Sequence, residues 1–186
     1  MKYANGKERT THSNVLSKGM GFETALNLSN DYYRAHNIAV VYKKPTPVNI
    51  VRVEYPNRKK SKIVEAYYKL PSTTDYNGIY KGFYIDFEAK ETHTKYFNLS
   101  NIYEHQIEHL KKIHEHKGVA FILVCFSVHK KVYAIHILDL LKCYKDKERK
   151  SIKIEEFDTL GFLIEFGYNP VIDYIKVLDK YIKQFF

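Results

Sequence analysis

At 186 residues with 45% of them hydrophobic, the chain can bury a sizeable core as one compact unit. No run approaches the roughly eighteen apolar residues that span a bilayer, and the N-terminus has no apolar signal region, so the sequence predicts neither secretion nor a membrane span. Thirty Lys and Arg against twenty-one Asp and Glu leave a formal charge of +9, which suits a polyanionic partner.

The two cysteines, Cys125 and Cys143, form no CxxC and no metal-binding spacing, which predicts a reduced, cytoplasmic protein. Aromatic residues reach 15%, mostly as seventeen Tyr, a composition that serves core packing and also allows stacking on unpaired bases.

Residues 1–18 are polar and basic without a usable period and read as an arm. Phe22, Leu26 and Tyr33 then recur at helical spacing, predicting a helix over about 20–36. Two β-rich runs follow, "IAVVYKK" and "VNIVRVEY", and Pro45 and Pro47 between them forbid one continuous strand. Arg58, Lys59, Lys60 and Lys62 crowd the next stretch, which reads as a protruding basic loop or arm over about 51–68; a solvated charge run has the same pattern. In "TTDYNGIYKGFYIDFEAKE" the pairs Asn77-Gly78 and Lys81-Gly82 are turn candidates, and clean alternation after Gly82 predicts a strand. A helix follows, with Ser100 or Asn101 as N-cap, apolar residues at 102, 107, 110 and 113, and Gly118 as its stop. "VAFILVCFSV" predicts a strand buried on both faces, and "KVYAIHIL" a second strand. Helices near 139–147 and 170–184 complete an α/β domain with no internal repeat or linker.

Equal parity places Tyr84, Asp86, Glu88 and Lys90 on one face of the strand and Phe83, Ile85, Phe87 and Ala89 on the other, core-facing one. Cross-strand ion pairs on a solvated face produce the same pattern. Asp75 tilts the balance, because a hairpin brings its carboxylate toward that of Glu88, and two carboxylates that close repel unless a cation lies between them. Hard oxygen ligands suit Mg²⁺, or Mn²⁺ in its place. Such a cation polarises a phosphate and acidifies a bound water, while Lys90 on the same face steadies that water and offsets transition-state charge. Gln106 falls near the middle of the apolar stripe of the following helix, where its amide needs a partner: a backbone group, a metal or a metal-bound water. His105-Gln106-Ile107-Glu108-His109 also matches the H-x-x-E-H pattern of zinc peptidases, but with three fixed positions in a chain of nine His, and without an identified third ligand.

The block "PSTTDYNGIYKGFYIDFEAKET", with "AVVYKKPTPVNIV" before it and "HQIEHL" after it, closely resembles the RecU-type Holliday junction resolvases of the PD-(D/E)xK nuclease superfamily, over roughly residues 17–180. The resemblance implies a restriction-endonuclease-like α/β domain, with a mixed central sheet flanked by helices and a protruding basic stalk over about 51–68. It implies a dimeric, Mg²⁺-dependent endonuclease that nicks opposing strands of a four-way DNA junction, and partners among the recombinase and branch-migration proteins. Residue by residue, Asp75 and Glu88 match the metal-binding carboxylates, Thr73 and Gln106 the accessory metal ligands, and Lys90 the transition-state-stabilising lysine. Glu23 stands where the superfamily often carries another acid. The stalk's Arg58, Lys59, Lys60 and Lys62, with Lys43 and Lys44 of the "KKPTP" block, match DNA contacts. Lys18 stands where the family usually has Arg. Two other readings stay open: a superfamily nuclease acting on ordinary duplex, and a non-catalytic DNA-binding module on the same fold.

Overall fold

The computed structural model describes residues 20–57, 60–69, 73–146 and 148–186; the arm over 1–18 and the stalk residues Arg58 and Lys59 lie outside them. The elements in chain order are α1 (Phe22–Ala35), β1 (Val40–Lys43), β2 (Val48–Asn57), β3 (Lys60–Tyr68), β4 (Tyr76–Tyr80), β5 (Phe83–Thr92), β6 (Tyr96–Asn98), α2 (Glu104–Glu115), β7 (Val119–Phe126), β8 (Lys131–His136), α3 (Ile137–Tyr144), β9 (Ser151–Lys153), α4 (Phe157–Leu160), β10 (Phe162–Ile164) and α5 (Ile175–Phe185).

A six-stranded sheet runs in the order β1-β4-β5-β7-β8-β10. Only β5 and β7 are parallel in it, joined by a crossover that contains α2; the other pairs are antiparallel. All eight residues of β7 are buried, as a strand covered on both faces requires. Phe121, Leu123 and Cys125 face a core built with α1 and α5, whereas Ala120, Ile122, Val124 and Phe126 face α2, α3 and α4. The expected mixed sheet flanked by helices is what the chain forms.

Packing fixes which way β5 points. Phe87 stacks between Tyr76 at 4.9 Å and Phe121 at 4.8 Å, inside the α1/α5 core. Slipping β5 by one residue would take Phe87 out of this stack and drive Glu88 into an apolar core. The aromatic stack therefore commits Asp86, Glu88 and Lys90 to the opposite face, beneath α2.

Lys81 and Gly82, with φ of 50° and 84°, make the β4–β5 turn as expected. Asn77-Gly78 does not turn: it lies inside β4, where Gly78 sits opposite Val41. A Cβ on Gly78 would stand 2.0 Å from the Val40 carbonyl oxygen, so this glycine serves the close approach of β1. The predicted N-cap at Ser100 or Asn101 is likewise displaced. Residues 99–101 form a separate 3₁₀ turn, and α2 starts after Tyr103. Leu99 and Ile102 are buried, which bends the chain into that turn before the helix begins. The short β6, β9, α4 and β10 have three or four residues each, too few to show a period.

Of the two forms expected for the basic segment, loop or arm, its described residues take the second, as a pair of strands. β2 and β3 form their own two-stranded ribbon, its register broken by irregularities between Ile50 and Asn57. Every described residue of the ribbon is exposed except the half-buried Val53, so both faces meet solvent, as a stalk requires. No helix among the described residues is long and apolar enough to cross a membrane.

Candidate active site

Tyr76 pairs with Phe87 across β4 and β5, and one step earlier in the chain Asp75 comes level with Glu88. The Asp75 Oδ2 accepts from the Ala89 backbone N at 3.2 Å, and the Asp75 carbonyl accepts from the Lys44 backbone N at 2.7 Å. Asp75 is thus pinned to β5 on one side and to the end of β1 on the other. The expected approach of the two acids occurs.

Glu88 is 1% exposed, and its Oε1 accepts from the Lys90 ammonium at 2.7 Å. Its other oxygen, Oε2, is buried without a hydrogen-bond partner. Burial, then the charge of Asp75, pushes the Glu88 carboxyl up to about 7, against the opposing pull of Lys90. The folded chain therefore holds this proton more tightly than the unfolded one. Its stabilising contribution is whole below about pH 4.5 and is lost as pH rises through about 7.

A divalent cation fits this arrangement. The unpartnered Glu88 oxygen and the neighbouring Asp75 carboxylate offer two hard anionic ligands, and a cation between them would relieve both burial and repulsion. Among the described residues no group of three or more His, Cys, Asp or Glu gathers in a metal-binding cluster. Remaining ligands would be neutral oxygens or waters, as Mg²⁺ commonly keeps. Thr73 is exposed beside Asp75, its hydroxyl 3.4 Å from the Lys44 ammonium. Gln106 is buried in the first turn of α2, and its Oε1 accepts from the Tyr103 backbone N at 3.1 Å. One lone pair of that oxygen thus belongs to the helix start.

Lys90 lies on the same face as Glu88, its ammonium 5.8 Å from the centre of the Tyr103 ring. Glu23 is on the exposed side of α1, paired with Lys43 at 2.6 Å, and lines with Asp75, Ala89 and Glu91 a cavity of about 190 Å³. His105 stacks on Tyr103, and His109 bonds Asp86 at 3.2 Å, so both histidines of the H-x-x-E-H pattern have other engagements.

Among the expected DNA contacts, Lys60 and Lys62 stand exposed on β3, with Lys62 opposite Glu54 across the ribbon. Lys43 is exposed but paired with Glu23. Lys44 departs from expectation: its ammonium is 2.7 Å from Asp86 Oδ2 and 2.7 Å from the Thr74 hydroxyl, turned inward by a fully buried carboxylate. With Lys43, Lys69, Thr73, Thr74 and Asp75 it lines a cavity of about 470 Å³ at the root of the stalk.

Asp86 is the residue whose role the alternation alone did not reveal. It is wholly buried, and accepts from Lys44, from Thr74 in a short hydrogen bond, from Tyr84 at 3.0 Å and from His109 at 3.2 Å. Burial opposes its charge, but the bonds from His109, Lys44 and Thr74 outweigh it and hold Asp86 below the usual carboxylate range. A signal was present in the sequence, since Asp86 shares its strand face with Glu88; its partners come from segments 12 and 42 residues upstream and 23 downstream, which parity cannot connect.

The family model "RecU: Recombination protein U" matches residues 17–180. The chain is 48% identical over 167 residues to the Holliday junction resolvase RecU of Bacillus cytotoxicus, covering 88% of this chain and 84% of that one. It is 46% identical over 196 residues to the protein of that name in Bacillus cereus strain AH820, covering 96% of each. A solved structure of Archaeoglobus fulgidus Hjc, a Holliday junction resolvase, aligns at a TM-score of 0.47 and 10% identity over 76% of this chain and 94% of that one, a likeness too remote to bear on the site. With a match that runs from ahead of α1 into α5, through both segments that carry Asp75 and Glu88, this chain belongs to the RecU family.

Proposed function

We propose that this protein is a Mg²⁺-dependent endodeoxyribonuclease that resolves four-way DNA junctions as a homodimer. The observation that carries the reading is the Asp75–Glu88 pair, with a buried, unpartnered Glu88 oxygen and the Lys90 ammonium beside it, at the foot of an exposed basic ribbon. The names of its relatives as Holliday junction resolvases support the choice of substrate.

Asp75 and Glu88 would hold the cation, and Thr73 and Gln106 would offer neutral oxygens to it or to its waters. When bound, the cation supplies Lewis-acid polarisation of the scissile phosphate and a water of lowered pKa. Glu88 releases its proton on metal uptake, so binding strengthens by about tenfold per pH unit below pH 7. Lys90 orients the attacking water and offsets the charge that develops on the phosphate. A dimer sets two such centres against opposing strands, which paired cuts require.

The stalk supplies phosphate contacts near the crossover. Replacing Lys60 and Lys62 together by Ala is expected to weaken four-way junction binding and to lower the slope of log K against log salt by about 1.8, near 0.9 for each phosphate no longer neutralised. Binding isotherms over a salt series in EDTA measure both. An unchanged slope would mean that these charges are merely solvated and would count against the stalk as a DNA element.

A further inference from the structure

Three separate stretches of chain carry the candidate metal ligands: residues 73–75 with Thr73 and Asp75, β5 with Glu88, and α2 with Gln106. One buried side chain touches all three. Asp86, in β5, accepts from the Thr74 hydroxyl, which lies between Thr73 and Asp75. Its Oδ2 is 3.2 Å from His109 Nε2, and His109 is three residues, about one turn, beyond Gln106 on α2. The same Oδ2 is 2.7 Å from Lys44, which reinforces the first stretch through its ammonium on Thr74 at 2.7 Å and its backbone N on the Asp75 carbonyl at 2.7 Å. Tyr84 completes the set at 3.0 Å and in turn accepts from Asn77 of β4 at 3.0 Å.

We propose that Asp86 is a positioning residue that gathers the segments bearing Thr73, Asp75, Glu88 and Gln106 into one cation site, acting through Lys44, Thr74 and His109. This inference rests on the reading of Asp75 and Glu88 as cation ligands. A carboxylate suits the task because it presents several lone pairs, and here donors reach it from the end of β1, the segment before β4, β5 and α2. Its complete burial excludes water from competing for those donors. Lys44 is thereby a brace for the 73–75 segment rather than a free contact for DNA.

Asp86→Asn keeps the shape and removes the charge that holds Lys44. Calorimetric titration of the DNA-free protein with Mn²⁺ is expected to show affinity lowered by about 10- to 100-fold, the usual effect of losing a partner behind metal ligands. Junction binding in EDTA is expected to stay as in the wild type, and raised Mn²⁺ to recover much of the cleavage rate, so that the loss falls on metal saturation rather than on kcat. Thr74→Val is expected to act in the same direction, and Thr74→Ser, which retains the hydroxyl, to preserve wild-type affinity. These two variants decide the matter if Asp86→Asn fails to fold. Mn²⁺ affinity unchanged in a folded Asp86→Asn, or in Thr74→Val, would overturn the inference while leaving the cation site itself in place. A wild-type protein that binds no Mn²⁺ would instead overturn the site reading on which it depends.

Discussion

Glu88→Gln is expected to abolish junction cleavage, by about three orders of magnitude or roughly 4 kcal/mol of barrier, and at the same time to make the metal-free protein more stable. The two effects have one cause. Glu88 is buried with one oxygen unpartnered and its carboxyl pushed up to about 7, so keeping it ionised in the empty site at pH 8 costs roughly 3 kcal/mol. The amide is nearly isosteric and carries no charge to desolvate or to repel Asp75. Thermal unfolding in EDTA should show the variant more stable at pH 8 by about 6–12 °C, the gap closing toward pH 4.5, where the wild-type carboxyl is also neutral. Junction binding in EDTA should persist. A Glu88→Gln protein that cuts normally would remove Glu88 from the site, and one destabilised at pH 8 would show that the burial of this carboxylate is not strained.

Lys90→Met is expected to lower the cleavage rate by about 10²- to 10³-fold with junction affinity unchanged, because the missing ammonium acts on charge that develops only in the transition state. It has a second consequence on the metal-free protein. Lys90 is 2.7 Å from Glu88 Oε1 and opposes the upward push on that carboxyl, so without it Glu88 keeps its proton to higher pH. The pH at which Mn²⁺ uptake reaches half its plateau should therefore move upward, as calorimetry at several pH values can show. A rate loss without that movement would separate Lys90's part in cleavage from its pairing with Glu88.

What the sequence made legible follows from the range over which each signal acts. The strand face of Glu88 and Lys90 was readable because period-two alternation is local, and the Phe87 stack in the core enforces it. The approach of Asp75 to Glu88 was readable because Lys81-Gly82 supplies the tight turn between their strands. Asn77-Gly78 misled because a glycine required by an approaching strand looks the same as one required by a turn. Lys44 resembled a surface cation, since nothing within its own segment announces a buried acid 42 residues later. Asp86 was undecided for the same reason: its donors converge only after β1, β4, β5 and α2 have assembled. Gln106 was correctly expected on the buried side of α2, but its bond to Tyr103 depends on where the helix starts, and that was displaced by the 3₁₀ turn before it.

The most direct test of junction resolution is cleavage, in Mg²⁺, of a four-way junction labelled in turn on each strand, beside a linear duplex of the same sequence. The expected result is paired nicks at symmetric positions on two opposing strands near the crossover, with the linear duplex left largely intact. Equal cutting of both substrates, or nicks scattered without symmetry, would contradict junction resolution by this protein.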